Sequence, residues 1–385
     1  MFFFKGSKEV AKNSIIRNAM SIVTGEDWKR IRSRVTPAFT TGKIKRVIPY
    51  FNKSTYDLVH VIERHVDQGK ALPLKDLMSR LALDVIGRGG FSLEMNSFDQ
   101  NSDSVFFNNA RNIFNDKWFL LKASLMQFCP ALAEQIENFT GIDLMEQELH
   151  RYFKAFLLNL YETRKAEHGS KNYNDILELL MEVCDEEDKQ LTSQTMAEDS
   201  DIIHKELSQS SKHISKIELI SQGFILLLAG YETTGSTLHL IIFILAALQD
   251  VQDKLREEIA NVVGDEEEIT YEHTKQFDYM NKVIYETLRM YPAAVKTNRE
   301  CNNEIEINGI FFKEGDVVTI LLLLFTTTRN STPTLELLIR KDFPLKKKQV
   351  RSTHICRICH FSQKFRFKPA PNSPKLPINS LLYSF

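Results

Sequence analysis

The sequence lacks an excess of charge of either sign, a cysteine framework and a recognisable leader segment. Over 385 residues, 49 Lys and Arg nearly balance 50 Asp and Glu, which gives no electrostatic argument for a nucleic-acid partner. The five cysteines are odd in number and mostly scattered, and this favours a reducing compartment over a disulfide framework. The N-terminal text MFFFKGSKEV has three apolar residues before Lys5. We therefore expect neither a signal peptide nor a membrane anchor there.

Residues 217–248 form a stretch that is apolar on nearly every side and reads IELISQGFILLLAGYETTGSTLHLIIFILAAL. A helix that is apolar all round is either buried in a large protein or spans a membrane. The polar residues from Tyr231 to Thr237 divide the stretch into two apolar halves. Each half is shorter than the roughly 20 residues that a bilayer requires. We therefore predict a buried helix that crosses the domain.

Two glycines, Gly230 and Gly235, stand beside the polar residues of this predicted helix. Glycine costs about 1 kcal/mol in a helix interior, and we therefore expect a local distortion, a groove or a closely approaching ligand at this point. The alternative is a kinked core helix whose threonine hydroxyls bond back to their own carbonyls. The stretch alone gives the two interpretations equal weight.

Apolar residues at helical spacing dominate the chain, and strand signals appear only late. One amphipathic pattern covers residues 272–291. Residues 305–307 and 310–312 are short apolar runs on either side of an Asn-Gly pair, which is a hairpin signal. The predicted fold is mainly α with a minor β component.

An acid and a base three residues apart, Glu286 and Arg289, share one face of the helix predicted over residues 272–291. As a solvated surface pair they would contribute roughly 0.3–0.5 kcal/mol, and this is the ordinary interpretation. Their neighbours Ile284 and Leu288 are apolar, however. A buried pair in that setting would need further polar partners.

Three motifs occur in order along the chain: DWKRIR followed by SRVTPAFTTGKIK, then AGYETT, then ETLR followed by MYP. Together with the hairpin text EIEINGIFFKEGDVV, they resemble the cytochrome P450 haem-thiolate monooxygenases, in detail the microsomal family three that oxidises drugs and steroids. Each motif alone is weak, and the ordered set is specific. The resemblance implies a P450-like fold, haem b as cofactor, a lipophilic small-molecule substrate, and electrons from NADPH through NADPH-cytochrome reductase.

The resemblance also assigns roles to residues outside the central stretch. Trp28 and Arg32, four apart and so on one helix face, match family positions beside a haem propionate, as does Arg299. Without the resemblance, a surface helix packed by an aromatic ring would be the better interpretation of Trp28 and Arg32. Glu286 and Arg289 match scaffold residues that hold the haem-side core.

Within the central stretch, the resemblance places Ala229, Gly230 and Thr233 where the helix contacts haem. Glu232 and Thr233 match the family's acid–alcohol pair and are the predicted catalytic residues. Oxygen activation consumes protons, and a hydroxyl that positions a water, backed by a carboxylate, can relay them.

Two departures from the family pattern lead to a second hypothesis. The family has a membrane anchor, a proline-rich turn and early strands before the position of Trp28, and it resides in the endoplasmic reticulum membrane. The family also carries the loop F-x-x-G-x-R-x-C-x-G, whose cysteine thiolate binds the iron. No such loop follows Val318, and Cys301 precedes the hairpin. No axial metal ligand is therefore assigned, and the alternative function is a catalytically inactive fragment or pseudoenzyme.

The text HICRICHF near the C-terminus contains Cys356, Cys359 and His360 in the C-x-x-C-H pattern of c-type haem attachment. With His354 the same residues could form a four-ligand zinc knuckle. Both interpretations rest on a lone pentapeptide, and an unrelated helical protein with such a knuckle is the least favoured hypothesis.

The remaining hypothesis concerns the reading frame. Three texts within residues 326–363 can be re-read, with synonymous codons in a shifted frame, as family sequence that precedes the haem loop. We therefore expect a partial P450 domain over residues 1–325, an out-of-frame segment over residues 326–363, and a remnant of the C-terminal strands over residues 364–385.

Overall fold

The computed structural model describes residues 13–98, 105–115, 147–182 and 214–321, except residues 168, 169, 174, 267, 295, 302 and 308, and five isolated positions between 116 and 146. Helices dominate these residues, and the strands are few and late. The mainly α fold with a minor β component is thereby confirmed. The predicted segments 326–363 and 364–385, and the C-x-x-C-H motif, lie outside the described residues.

The helices are α1 (Gly25–Val35), α2 (Thr41–Lys45), α3 (Ile48–Asp67), α4 (Leu74–Phe91), α5 (Val105–Asn115), α6 (Gln147–Ala166), α7 (Lys216–Ala247), α8 (Gln249–Val263), α9 (Tyr271–Thr274) and α10 (Asp278–Met290). A 3-10 turn, Thr36–Phe39, follows α1. The strands are β1 (Lys296–Glu300), β2 (Ile305–Ile307), β3 (Ile310–Phe312) and β4 (Val317–Leu321). We call α7 the central helix.

The central helix begins with a capping box. The backbone N–H of Glu218 donates to the Ser215 hydroxyl, and the Glu218 carboxylate accepts from the Ser215 N–H at 2.7 Å. The helix then runs without interruption past both glycines. Of the distortion, groove or close ligand expected at the glycines, an interruption of the helix is not seen. The alternative expectation about hydroxyls is met, since Thr237 donates to the carbonyl of Thr233 at 2.7 Å.

The two glycines serve close packing of α4 against the central helix. A Cβ added at Gly235 would lie 2.9 Å from the Cα of Ser79, and one added at Gly230 would lie 2.6 Å from Cδ1 of Ile86. Only a residue without a Cβ permits so close an approach of another backbone. The predicted groove is therefore present at Gly235, and α4 occupies it.

The central helix contributes to three of the four hydrophobic clusters among the described residues. Its first half packs with α4, α5 and α6, its middle packs with α3 and α4, and its last third packs with α8 and α10. These contacts bury one stripe at helical spacing, made by Ile220, Phe224, Leu227, Tyr231, Leu238, Ile241 and Leu245.

Burial on every side, as the sequence predicted, is not what the structure shows. Ala229 and Thr233 are exposed in the middle of the central helix. Among the described helices, this one alone has the length and apolarity to cross a membrane, with a mean hydropathy of 1.3, and 33% of that window is buried. Its packing with six other helices instead makes it a core helix, buried on every side from Leu219 to Phe224 and open at Ala229 and Thr233.

Two small antiparallel sheets follow the helices. Strand β1 pairs with β4, which places Arg299 opposite Val318, and β2 pairs with β3 as a hairpin. Gly309 adopts a φ of 79° in the hairpin turn, a conformation that glycine adopts without strain. The predicted hairpin is thereby confirmed.

Candidate functional site

Helix α1 presents Trp28 and Arg32 side by side. The Arg32 guanidinium carbon lies 4.9 Å from the centre of the Trp28 ring, a cation–π contact that stabilises by about 0.5–1 kcal/mol at an exposed site. Arg32 is exposed, whereas Ile31 and Val35 of the same helix are buried. The shared face expected from the four-residue spacing is confirmed, and it carries a fixed positive charge at the surface.

The middle of the central helix exposes two small side chains one turn apart, Ala229 and Thr233. The Thr233 hydroxyl donates to the Ala229 carbonyl. The half-buried Glu232 carboxylate accepts from the Ser236 hydroxyl at 3.1 Å. The predicted acid–alcohol pair is therefore present, but each member bonds to a different residue of its own helix.

The opposite side of the same two turns is packed. Tyr231 is 2% exposed, and its ring centre lies 6.3 Å from that of Phe107 and 5.9 Å from that of Phe114. Burial, reinforced by the charge of Glu232, raises the pKa of Tyr231 to about 12. Tyr231 is thus a neutral core residue. Gly230 beside it packs on Ile86, so its assignment to the haem site stays a prediction.

The acid–base pair of α10 forms two parallel hydrogen bonds. Arg289 Nε and Nη2 each donate to an oxygen of Glu286 at 2.7 Å, and Glu286 is 8% exposed. Such a bidentate pair has a defined geometry as well as charge. The start of α10 is held from α8, where the Glu258 carboxylate accepts the N–H groups of Tyr279 and Met280 at 2.5 and 2.8 Å. This contact was not predicted from the sequence, because its partners are more than 20 residues apart.

Strand β1 carries Arg299, which is exposed and donates to the Thr297 hydroxyl at 2.9 Å. Cys301 follows this strand and is the one cysteine among the described residues, with its Sγ 2.9 Å from the carbonyl oxygen of Asn303. No cluster of His, Cys, Asp and Glu suited to a metal ion occurs in the described part. Arg32 and Arg299 are thus exposed cations on separate elements, and their assignment to the haem propionates stays a prediction.

A second ion pair links α1 to the central helix and was not predicted. Arg30 Nη2 lies 2.5 Å from Oε1 of Glu218, the same residue that forms the capping box with Ser215. Burial opposes ionisation of Glu218, but the hydrogen bonds from Arg30 and Ser215 outweigh it and lower the pKa. The S-x-x-E spacing at residues 215–218 is a readable capping signal. Nothing local, in contrast, points to Arg30 as a partner.

A third charged group lies buried between α3 and α4. Arg88 lies 2.8 Å from both Asp84 and Asp57, and the Ser54 hydroxyl donates to Asp84 at 2.6 Å. Asp84 is fully buried. A buried pair of this kind supports the scaffold when it is intact, and loss of one member costs about 3–5 kcal/mol. The sequence holds no signal for it, because D-x-x-x-R is also common on exposed helices.

The fold and the site define a mainly helical protein whose long central helix pairs a packed side with an open turn of small residues. The family model "Cytochrome P450" matches residues 3–330, and the chain belongs to this family. It is similar to cytochrome P450 3A9 of Rattus norvegicus, 30% identical over 320 residues, which are 82% of this chain and 59% of the relative. It is also similar to cytochrome P450 3A7 of Homo sapiens, 31% identical over 308 residues, 79% of this chain and 56% of the relative.

The resemblance to the cytochrome P450 family seen in the sequence is thereby confirmed, and both relatives named here belong to the 3A kind. The chain spans less than two thirds of the length of these relatives. Haem is the cofactor that membership of the family implies. The open turn at Ala229 and Thr233 fits a flat apolar group, and the exposed cations of Arg32 and Arg299 fit its carboxylates. The chemistry of these side chains is that of a porphyrin site, and their assignment to haem stays a prediction.

Proposed function

We propose that this chain is the haem-holding part of a cytochrome P450 monooxygenase that oxidises lipophilic small molecules such as xenobiotics and steroids. The observation that carries the proposal is the exposure of Ala229 and Thr233 at the middle of a helix that is otherwise apolar and packed. A contact surface of this kind binds flat apolar ligands when a few polar groups surround it. The electron source of the proposal is NADPH through a reductase, and its location is the endoplasmic reticulum membrane.

Each residue of the proposed site would have a distinct role. Bound haem supplies the activation of O2, which consumes protons. Trp28 and Arg32, with Arg299, would hold the propionate groups. The Thr233 hydroxyl donates to the Ala229 carbonyl and keeps its oxygen free to accept from a water. The neighbouring Glu232 carboxylate can hold a proton close to that water. Glu286 and Arg289 would keep α10 rigid behind the site.

The placement of haem is tested by filling the open turn. Ala229→Phe adds a ring to an exposed position, and we expect haemin affinity to fall by about tenfold or more, because overpacking a contact costs about 1–3 kcal/mol. The matched control is Ala247→Phe. Ala247 is also exposed on the central helix, 18 residues later, and thus about five turns away on the same face.

Haemin titration followed by Soret absorbance reads the affinity, and urea denaturation reads the stability of each variant. We expect both variants to be as stable as the unchanged protein and only Ala229→Phe to lose haemin binding. Equal affinity of the two variants would show that haem, if bound, lies elsewhere.

A second candidate function is haem binding without monooxygenase activity. The observation that favours it is that the 385 residues contain no F-x-x-G-x-R-x-C-x-G text, and the thiolate of that loop drives O–O cleavage in the family. The carbon monoxide difference spectrum of the reduced, haem-loaded protein separates the two candidates. A strongly red-shifted Soret band requires a thiolate ligand and would exclude the second candidate.

The origin of residues 326–363 in a shifted reading frame stays a prediction. The underlying nucleotide sequence tests it directly. Absence of the family text P-E-R-F from the shifted frame would overturn it.

A further inference from the structure

We infer that Arg30 and Glu218 form a positioning pair, which fixes the helix bearing Trp28 and Arg32 against the first turn of the central helix. The inference deepens the haem site proposed above and rests on it. Neither residue is among the haem contacts assigned above, although Arg30 lies between Trp28 and Arg32 in the DWKRIR text. Their role would be to set where those contacts lie.

The geometry of the pair is that of a rigid clamp. Two nitrogens of Arg30 contact the two oxygens of Glu218, at 2.5 Å and 3.2 Å. The two side chains are only 15% and 13% exposed. The Glu218 carboxylate also accepts from the N–H and the hydroxyl of Ser215, at 2.7 and 2.9 Å. One carboxylate therefore both closes the start of the central helix and holds α1.

The direction in which Arg30 leaves α1 determines which side of α1 faces away from the central helix. Successive residues of a helix are about 100° apart, which places Arg30 on the side of α1 opposite to Trp28 and Arg32. Because the Arg30 side is held by the central helix, the Trp28–Arg32 side projects away from that contact. The exposure of Arg32 agrees with this arrangement.

A second anchor lies one turn further along the central helix. The Gln222 side chain accepts from the N–H of Met20 and donates to the carbonyl of Asn18, both at 2.9 Å. These bonds hold the segment that leads into α1. Two anchors on successive turns set both the position and the rotation of α1. Ala229 follows Glu218 by 11 residues, or roughly 16 Å along the helix, so the clamp also sets the spacing between α1 and the open turn.

The same helix provides a matched control. Lys29 and Glu26 also form an ion pair, at 2.7 Å, but their side chains are 67% and 87% exposed, and such a pair contributes little. Ser215 provides a second comparison. Ser215→Ala removes one half of the capping box and leaves Arg30 and Glu218 paired, so it lowers helix stability without releasing α1.

The experiment compares Arg30→Gln, Arg30→Lys, Lys29→Gln and Ser215→Ala in the full chain. We expect Arg30→Gln to weaken haemin binding by about tenfold, as loss of a residue that orients a ligand commonly does, and to change the circular dichroism of the Soret band. Arg30→Lys retains one charged bond and should recover part of the affinity. Lys29→Gln and Ser215→Ala should bind haemin as the unchanged protein does.

Urea denaturation of each variant separates positioning from stability. Haemin affinity that is unchanged in Arg30→Gln overturns the inference, and so does an equal loss in Ser215→Ala. If the unchanged protein binds no haemin, the proposed function fails. The clamp is then judged by hydrogen exchange of residues 25–35, which should be faster in Arg30→Gln than in Lys29→Gln. Equal exchange in these two variants overturns the inference by itself.

Discussion

The two sides of the central helix differ sharply within two turns. Tyr231 and Gly235 lie one turn apart on the packed side, where the Tyr231 ring is buried and Gly235 touches the backbone of Ser79. Ala229 and Thr233 also lie one turn apart, but both are exposed. A step of two residues turns a helix by about 200°, and the local sequence is equally small or polar on both sides. The neighbours therefore decide which side is core.

The two sides of the helix are therefore expected to have different roles: the packed side contributes to folding, and the open side is available to a ligand. Atoms added to the packed side must displace α4 or the aromatic rings around Tyr231. Atoms added to the exposed positions Ala229 and Thr233 point toward solvent, and we expect them to affect mainly what binds there. The four changes below test this contrast in order of decreasing expected effect.

The largest effect is expected for Gly235→Ala. The added Cβ would lie 2.9 Å from the Cα of Ser79, so α4 must shift as a whole. We expect the free energy of unfolding to fall by about 2 kcal/mol, net of about 1 kcal/mol gained in helix propensity. The control is Gly42→Ala in α2, where nothing lies within 4 Å. Urea denaturation measures the free energy of unfolding of both variants. A Gly235→Ala variant as stable as the unchanged protein would contradict the close crossing of α4 and the central helix.

The next effect concerns alkaline pH. The pKa of Tyr231 is raised from 10.0 to about 12 in the folded protein, mainly by burial. Between these values the unfolded chain loses the proton first, so the folded state loses stability as pH rises. Tyr231→Phe lacks this ionisation. Urea denaturation of the two proteins at about pH 9 and about pH 11 should show a larger fall in the free energy of unfolding for the unchanged protein. A pH-independent difference would mean that Tyr231 is accessible to water.

A smaller effect is expected for Gly230→Ala. The added Cβ meets only Cδ1 and Cγ1 of Ile86, at 2.6 and 3.2 Å, and a side-chain end can rotate away. We expect the free energy of unfolding to fall by less than about 1 kcal/mol. Ile86→Val removes the Cδ1 atom, so Gly230→Ala should be better tolerated in that background. A double-mutant cycle by thermal denaturation measures the coupling, and zero coupling would argue against the contact.

The smallest effect on folding is expected for Thr233→Val. The hydroxyl is exposed and donates to the Ala229 carbonyl of its own helix. We expect the free energy of unfolding to change by less than about 0.5 kcal/mol. A loss above about 1 kcal/mol would place Thr233 in the core and remove the distinction between the two sides.

Features that depend on local spacing were predictable. The central helix was expected over residues 217–248 and spans Lys216–Ala247. The hairpin was expected around its Asn-Gly turn and is present. Glu286 and Arg289 were expected on one face and form a bidentate pair. In each case the partners are a few residues apart, and helix or turn geometry alone brings them together.

Contacts between distant segments were not predictable. Arg30 and Glu218 are separated by 188 residues, and no spacing rule joins them. The glycines indicated a distortion, a groove or a ligand without deciding among them, because composition alone cannot show that α4 packs there. Glu232 and Thr233 are adjacent in sequence, yet adjacent residues of a helix point about 100° apart, and each side chain found a partner one turn away.

Periodicity and turn chemistry act over a few residues, and they predicted a mainly helical chain and its long apolar helix, while the ordered motifs carried the resemblance to the cytochrome P450 family. Which side of that helix would be buried depended on the approach of α4 and of the aromatic rings of α5. Burial is a property of neighbours brought together from distant parts of the chain, so only the folded arrangement could set Tyr231 in the core and leave Ala229 open to a ligand.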